Sequence, residues 1–207
     1  MDGLIIDSEP YWRKAMLTVF ANYNLVITEE DCAATTGLRF DNVVDYWFKE
    51  RGWNAVQKNK ILQEVLDQVA YYITHFAEAK DGFYTSMEFF KSKGYQLSIA
   101  SSSAMQLIEA TIEKLNIRKE LVTYISAEKL THGKPHPEVF LVCAEALLTH
   151  PNQCLVLEDS VYGVIAAKAA QMKCIAIPEK QNLQNPKFSI ADETFPSLSL
   201  ITSSTIF

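Results

Sequence analysis

"CLVLEDSVYGVIAAKAAQMKCIAIP", residues 154–178, is the stretch from which the fold can be read. Its ends, "CLVLED" (154–159) and "CIAIP" (174–178), are short apolar runs without polar alternation, the pattern of strands covered on both faces. The segment between them contains "GVIAAKAAQM" and reads as a helix. Strand, helix, strand is the signature of a parallel sheet with a right-handed crossover.

Working outward, the same alternation continues upstream. "YQLSIA" (95–100) is a strand candidate. The next segment, "SSSAMQLIEATIEKLNI", is a helix with Ser103 and Gln106 placed as a capping box. Its inner face is Leu107, Ile108, Thr111, Ile112 and Leu115. "LVTYIS" (121–126) is a weaker strand, and "HPEVFLVCAEALL" is a helix with Pro137 in its first turn. After residue 179 the chain is polar and reads as loop with one late element. The texture from 11 to 79 is different, because every strong pattern there is helical. Apolar residues recur at i, i+3/i+4 spacing in three sets: Trp12, Ala15, Met16, Val19, Phe20 and Tyr23; Phe40, Val43, Val44, Trp47 and Phe48; and Ile61, Leu62, Val65, Leu66, Val69, Ile73 and Phe76. That block predicts about four helices.

Composition narrows the class. The 207 residues are 48% hydrophobic and 21% charged, enough for a full core, with a net charge of -6. No Lys/Arg-rich run offers phosphate contacts to a nucleic acid. No apolar run reaches the ~18 residues of a spanning helix, and Asp2 and Asp7 break any signal-peptide pattern. The expectation is a cytoplasmic monomer. Cys32, Cys143, Cys154 and Cys174 are widely spaced among apolar neighbours, which predicts buried reduced thiols. His75, His132, His136 and His150 show no metal-ligand spacing and read as structural or surface residues.

In open α/β sheets ligands bind beyond the carboxyl ends of the strands. Ser101, Ser102 and Ser103 follow the strand at 95–100, at a helix amino terminus that suits an anion. Lys134 lies in the loop "THGKPHP" after the strand at 121–126, and Glu158 and Asp159 follow "CLVL". Asp2-Gly3 stands ahead of the helical block. Each piece has a plainer reading: a helix cap, a solvated lysine, acidic residues at the positive end of a helix dipole. Their order at consecutive strand ends favours a divalent cation and a phosphate, with hard oxygen ligands that suit Mg2+.

These motifs resemble those of the haloacid dehalogenase superfamily, in particular its β-phosphoglucomutase-like phosphatases with a small helical cap. "MDGLIIDSEPYW" is similar to the first motif, "SIASSS" to the second, "GKPHPEVF" to the third and "LEDSVYGVIAAKAA" to the fourth. "TTGLRFDNVVDYW" resembles the cap loop that reaches over the substrate. The resemblance implies a Rossmann-like parallel sheet flanked by helices, formed by 1–10 and 80–207, with 11–79 inserted as an all-helical cap. It implies a phosphatase for small sugar phosphates, hexose or hexitol phosphates, that uses Mg2+ and an aspartyl-phosphate intermediate.

In that family the first motif is Asp-x-Asp-Gly. Met1 then takes the middle position and Asp2 the second, as acid/base with its backbone carbonyl on the metal. The nucleophile and its strand are expected upstream of Met1. Ser101 would bind the phosphoryl group with the Ser102 N–H, and Lys134 would bridge phosphate and nucleophile. Glu158 and Asp159 would hold the metal, Asp159 the more directly, and Arg39 would meet the substrate from the cap unless it only pairs with Asp41 or Asp45. Trp12 stands where mutases carry a His, which disfavours a mutase, and Asp2 disfavours a dehalogenase. The second hinge reads Ala79-Lys80-Asp81-Gly82 in place of Pro-Gly. Losing a central strand forgoes about 7–15 kcal/mol for five apolar side chains. The chain as written is expected to be inactive because Asp2 cannot replace the nucleophile, and the alternative reading is a non-catalytic phosphate-binding or regulatory remnant.

Overall fold

The computed structural model describes residues 1–35 and 38–201. The helical block is α1 (Glu9–Asn22), α2 (Glu29–Ala34), α3 (Phe40–Glu50) and α4 (Lys58–Phe76). α1 carries Pro10 in its first turn, and α2 opens on a capping box between Thr28 and Asp31. The expected faces are the buried ones: Ala15, Met16, Val19 and Phe20; Val43, Val44, Trp47 and Phe48; Ile61, Val65, Leu66, Val69 and Ile73. Trp12, Tyr23, Phe40 and Leu62 pack partly buried at the margins. Phe76 departs from the expectation and is 57% exposed, because α4 ends there and Ala77 takes the next inward position.

α5 (Phe83–Ser92) is a helix the periodicity does not announce. Its buried face is only Phe83, Ser86 and Phe90, and it starts from Gly82 in the left-handed region (φ 79°). A Cβ on Gly82 would lie 2.1 Å from the Ser199 backbone nitrogen, so the start of α5 rests against the turn at 198–200.

Five strands follow: β1 (Leu97–Ser101), β2 (Leu121–Ser126), β3 (Leu155–Glu158), β4 (Lys173–Ala176) and the short β5 (Glu193–Thr194), which is the late element of the tail. β1 starts two residues later than expected, since Gly94 (φ 81°) turns the chain and Tyr95 packs edge-on to Phe90. α6 (Met105–Lys114), α7 (Glu138–Ala146) and α8 (Val161–Ala169) supply the crossovers. The expected capping box on α6 does not form. Ala104 is the N-cap, the Met105 N–H bonds Glu128 at 3.0 Å, and Gln106 reaches Asp67.

All strand pairs are parallel, β1 with β2 and β3–β4–β5 in order. β4 is covered on both faces: Ile175 joins the core that extends into the helical block, while Cys174 and Ala176 join a second core under α7 and α8. β1 and β3 do not pair. A cavity of about 740 Å3 is lined by both strands, by Met1, Leu4 and Ile5, and by Phe83, Phe90 and Phe140. Leu155 and Leu157 are only half-buried along it. Among the described residues no helix is long and apolar enough to cross a membrane.

No disulfide forms. Cys32, Cys143 and Cys174 are buried as expected, but Cys154, at the mouth of β3, is half-buried. Burial pushes the Cys174 thiol up to about 12 and the Cys32 thiol to about 11, which keeps both unreactive.

Candidate active site

The carboxyl ends of β1 and β3 and the loop after β2 converge on a second cavity, of about 540 Å3. Asp2, Ser101, Ser102, Ser103, Lys134, Glu158 and Asp159 line one side of it. The helical block supplies an apolar wall that includes Trp12, Met16, Phe40 and Val43. Six of the seven expected site residues therefore share one space. Arg39 does not line it.

Asp2 is set by a tight turn in which the Met1 carbonyl accepts the Ile5 N–H at 2.7 Å. Its two carboxylate oxygens accept from Ser8 Oγ and from Ser103 Oγ, and Trp12 Nε1 stands 3.4 Å away. Gly3 follows with φ 68°, a conformation that only glycine adopts readily. A Cβ on Gly3 would fall 2.1 Å from Asp159 Oδ2, so the absent side chain is what admits the first turn against the acid pair. Lys80, in the unusual hinge, donates to the Gly3 carbonyl at 2.6 Å and ties both chain crossings together.

Glu158 closes β3, where Gly163 leaves room for it: a Cβ there would stand 2.0 Å from the Glu158 carboxyl carbon. One oxygen of Glu158 accepts the Asp159 and Ser160 N–H groups and Ser160 Oγ, each at 3.1 Å. The other pairs with Lys134 Nζ. Both side chains are nearly sealed, 7% and 6% exposed, so the pair is a buried one. Burial alone would raise the Glu158 carboxyl, but the Lys134 and N-terminal ammonium groups and the Ser160 N–H hold it below the carboxylate range. Lys134 also lies over the Phe140 ring at 4.7 Å.

Asp159 has the opposite balance. Burial, and then the Glu158 charge, push its carboxyl up to about 7. Among the described residues no Lys, Arg or His forms an ion pair with it. A half-buried carboxylate beside a second acid is stabilised by an added cation, and its hard oxygens fit Mg2+. Across the cavity, Ser101 Oγ accepts the Ser103 N–H at 3.1 Å. Ser102 Oγ is buried without a hydrogen-bond partner among the described residues, an orphan donor that an anion would satisfy.

Arg39 sits on the seam between the helical block and the sheet. Its Nε meets Asp41 at 2.7 Å, and its terminal nitrogen donates to the Ala127 and Leu130 carbonyls at 3.1 and 2.9 Å. Asp45, the other carboxylate considered for it, pairs with Lys58. Thr36 and Gly37 of the same loop lie outside the described residues. Sequence reading missed Ser8, Lys80, Ser160 and Gly163. Of these, Ser160 and Gly163 carry a signal, since a Ser N-cap whose hydroxyl accepts the N–H three residues on is legible beside Glu158.

The family model for haloacid dehalogenase-like hydrolases matches residues 1–177. The chain is 35% identical over 204 residues to hexitol phosphatase B of Escherichia coli, covering 98% of this chain and 92% of that one. It is 27% identical over 177 residues to the fructose-1-phosphate phosphatase YqaB of the same organism, covering 86% and 93%. Among solved structures it superposes on CbbY of Rhodobacter sphaeroides in complex with phosphate, with a TM-score of 0.85 at 20% identity and coverage of 97% and 92%. It also superposes on a β-phosphoglucomutase of Clostridium difficile, with a TM-score of 0.82 at 21% identity and coverage of 98% and 91%.

Proposed function

Because this chain belongs to the haloacid dehalogenase-like hydrolases, we propose the function of a Mg2+-dependent phosphatase acting on hexose or hexitol phosphates. The observation that carries the reading is the convergence of Asp2, Ser101, Lys134, Glu158 and Asp159 on one cavity under an apolar helical cap. The names of the related hexitol and fructose-1-phosphate phosphatases support the substrate class.

In this reading Asp159, the Asp2 backbone carbonyl and Glu158 would hold Mg2+, and Glu158 fixes Lys134. The ion, when bound, supplies charge stabilisation at the phosphoryl oxygens. Ser101, the Ser102 N–H and Lys134 bind the phosphate. A carboxylate on the residue preceding Met1 attacks phosphorus and forms the aspartyl-phosphate. Asp2 donates a proton to the departing sugar oxygen, then takes one from the water that cleaves the intermediate, returning both carboxyls to their starting state. The placement of that carboxylate is supported by two observations. Met1 lines the active-site cavity beside Asp2, and the cavity between β1 and β3 also runs up to Met1. Arg39 exchanges the Ala127 and Leu130 carbonyls for sugar hydroxyls as the cap closes over the substrate.

The test is to fuse an apolar strand ending in Phe-Asp ahead of Met1 and assay hexose phosphates, hexitol phosphates, nucleotides and phosphoproteins with Mg2+. Turnover of the sugar phosphates, absent without the fusion, and near-abolished by Asp159→Asn, is expected. Preferred turnover of nucleotides or phosphoproteins would sink the substrate class. A folded fusion that binds phosphate without turnover would leave the non-catalytic reading standing.

A further inference from the structure

The loop that delivers Lys134 to the cavity carries a second group of donors on its outer side. His132 and His136 flank Gly133, Lys134 and Pro135, and their rings stack with centroids 4.2 Å apart and planes 27° apart. Glu138, in the first turn of α7, faces both: Oε2 is 3.0 Å from His132 Nδ1 and 3.9 Å from His136 Nδ1. The carboxylate is fixed in place by the N–H groups of Thr131 at 3.2 Å and His132 at 2.8 Å. One ring nitrogen of each histidine and one Glu138 oxygen all lie within 4.8 Å of one another. None of the three lines the active-site cavity. Both histidines lie at the surface, as the sequence suggests, and the turn at 133–135 brings the two of them onto one carboxylate.

A loop fastener needs one imidazole and one carboxylate. Here a second imidazole is stacked on the first, and the carboxylate has already been oriented by two backbone donors. We propose that His132, His136 and Glu138 form a binding site for a borderline divalent cation of the Zn2+ kind, separate from the acid pair at Glu158 and Asp159. Imidazole nitrogen with carboxylate oxygen is a donor set that Zn2+ takes and Mg2+ does not. Bonds of about 2.0–2.2 Å place tetrahedral ligand atoms roughly 3.3–3.5 Å apart, so the three side chains close by about 1 Å on the ion. Both histidines are exposed and able to make that movement, and the fourth position opens to water. Binding closes 132–138 into a ring around Lys134, which the Glu158 pair already fastens from within.

The experiment is a calorimetric titration of ZnCl2 into metal-free protein held in excess Mg2+, with thermal unfolding followed in parallel. One Zn2+ per chain is expected, with Tm rising as Zn2+ is added. His132→Gln and His136→Gln should each weaken Zn2+ affinity about tenfold or more, whereas His150→Gln and Asp159→Asn leave it unchanged. Circular dichroism confirms that each variant is folded, and His132→Ala with His136→Ala provide a second pair if the glutamines do not fold. Absence of Zn2+ binding, parental affinity in either histidine variant, or loss of binding in Asp159→Asn would overturn the site. None of these readouts uses phosphate turnover, so the outcome is independent of the proposed phosphatase.

Discussion

At the carboxyl rim of the sheet, direct polar contacts join four separate segments in two pairs, Asp2 with Ser103 and Lys134 with Glu158. A few residues earlier along the same strands, β1 and β3 share no hydrogen bond and a cavity of about 740 Å3 is lined by both. The rim is assembled by short side chains and by glycines that let carboxylates approach, while the middle depends on strand pairing. The two regions therefore answer to different perturbations. A site of this kind can hold its geometry while the sheet beneath it is only partly paired.

The largest effect should come from the middle. An apolar strand fused ahead of Met1 that pairs with β1 and β3 buries about five side chains at roughly 1.5–3 kcal/mol each. The realised gain is smaller, since the unfolded chain already buries part of that surface. An increase of several kcal/mol in urea-unfolding free energy is expected, with amide exchange slowed at 97–100 and 155–157. If exchange at β1 and β3 is unchanged, the fused segment has not entered the sheet and the contrast between rim and middle loses its physical basis.

At the rim, Lys134→Ala leaves Glu158 buried without its cation, a change that costs about 3–5 kcal/mol. Denaturant unfolding at neutral pH measures it, and a loss below about 1 kcal/mol would mean that Asp159 N–H and the Ser160 donors hold Glu158 alone. Gly163→Ala comes next, at about 1–3 kcal/mol, because the new methyl meets the Glu158 carboxyl at overlapping distance. Gly133→Ala is the matched control. Its methyl meets only the Arg39 side chain at 3.5 Å, so stability should move by less than about 0.5 kcal/mol.

Much of this arrangement was legible in the sequence, and the failures have physical causes. The run at 154–178 announced β3, α8 and β4 because strands buried on both faces leave an unalternated apolar record. The site residues were legible from their order at strand ends, which local pattern preserves. Contacts between distant segments were not: Arg39 reaches carbonyls some ninety positions away, and no spacing rule encodes that. The capping box at Ser103 failed because its hydroxyl goes to Asp2 instead of the helix. α5 escaped because its short buried face carries Ser86 at its centre, and the pairing of His132 with His136 needed the turn between them.

Apart from that control, the smallest effect belongs to the closed side of the sheet, where β4 is paired on both edges. Asp192 seals that side: its carboxylate accepts the Cys174 N–H at 2.7 Å and Lys168 Nζ at 2.6 Å, while its own N–H donates to the Cys174 carbonyl. Burial would raise its carboxyl, but the Lys168 ammonium and the Cys174 N–H outweigh it and hold the group below the ordinary carboxylate value. A depressed carboxyl contributes stability that is present above the unfolded pKa and lost as pH falls through the folded one. Both partners keep about a third of their surface in water (29% for Asp192 and 34% for Lys168), so screening limits the pair. Asp192→Asn keeps an acceptor for Cys174 and removes the charge, which should cost about 0.5–1 kcal/mol at pH 7. The difference from the parent should shrink below the ordinary carboxylate pKa and vanish at lower pH, and high salt should reduce it at pH 7. Urea unfolding of both proteins across acid pH reads this directly. A difference that persists in acid would assign the effect to the lost hydrogen-bond geometry, and the closed edge would then resemble the rim, held by shape and not by charge.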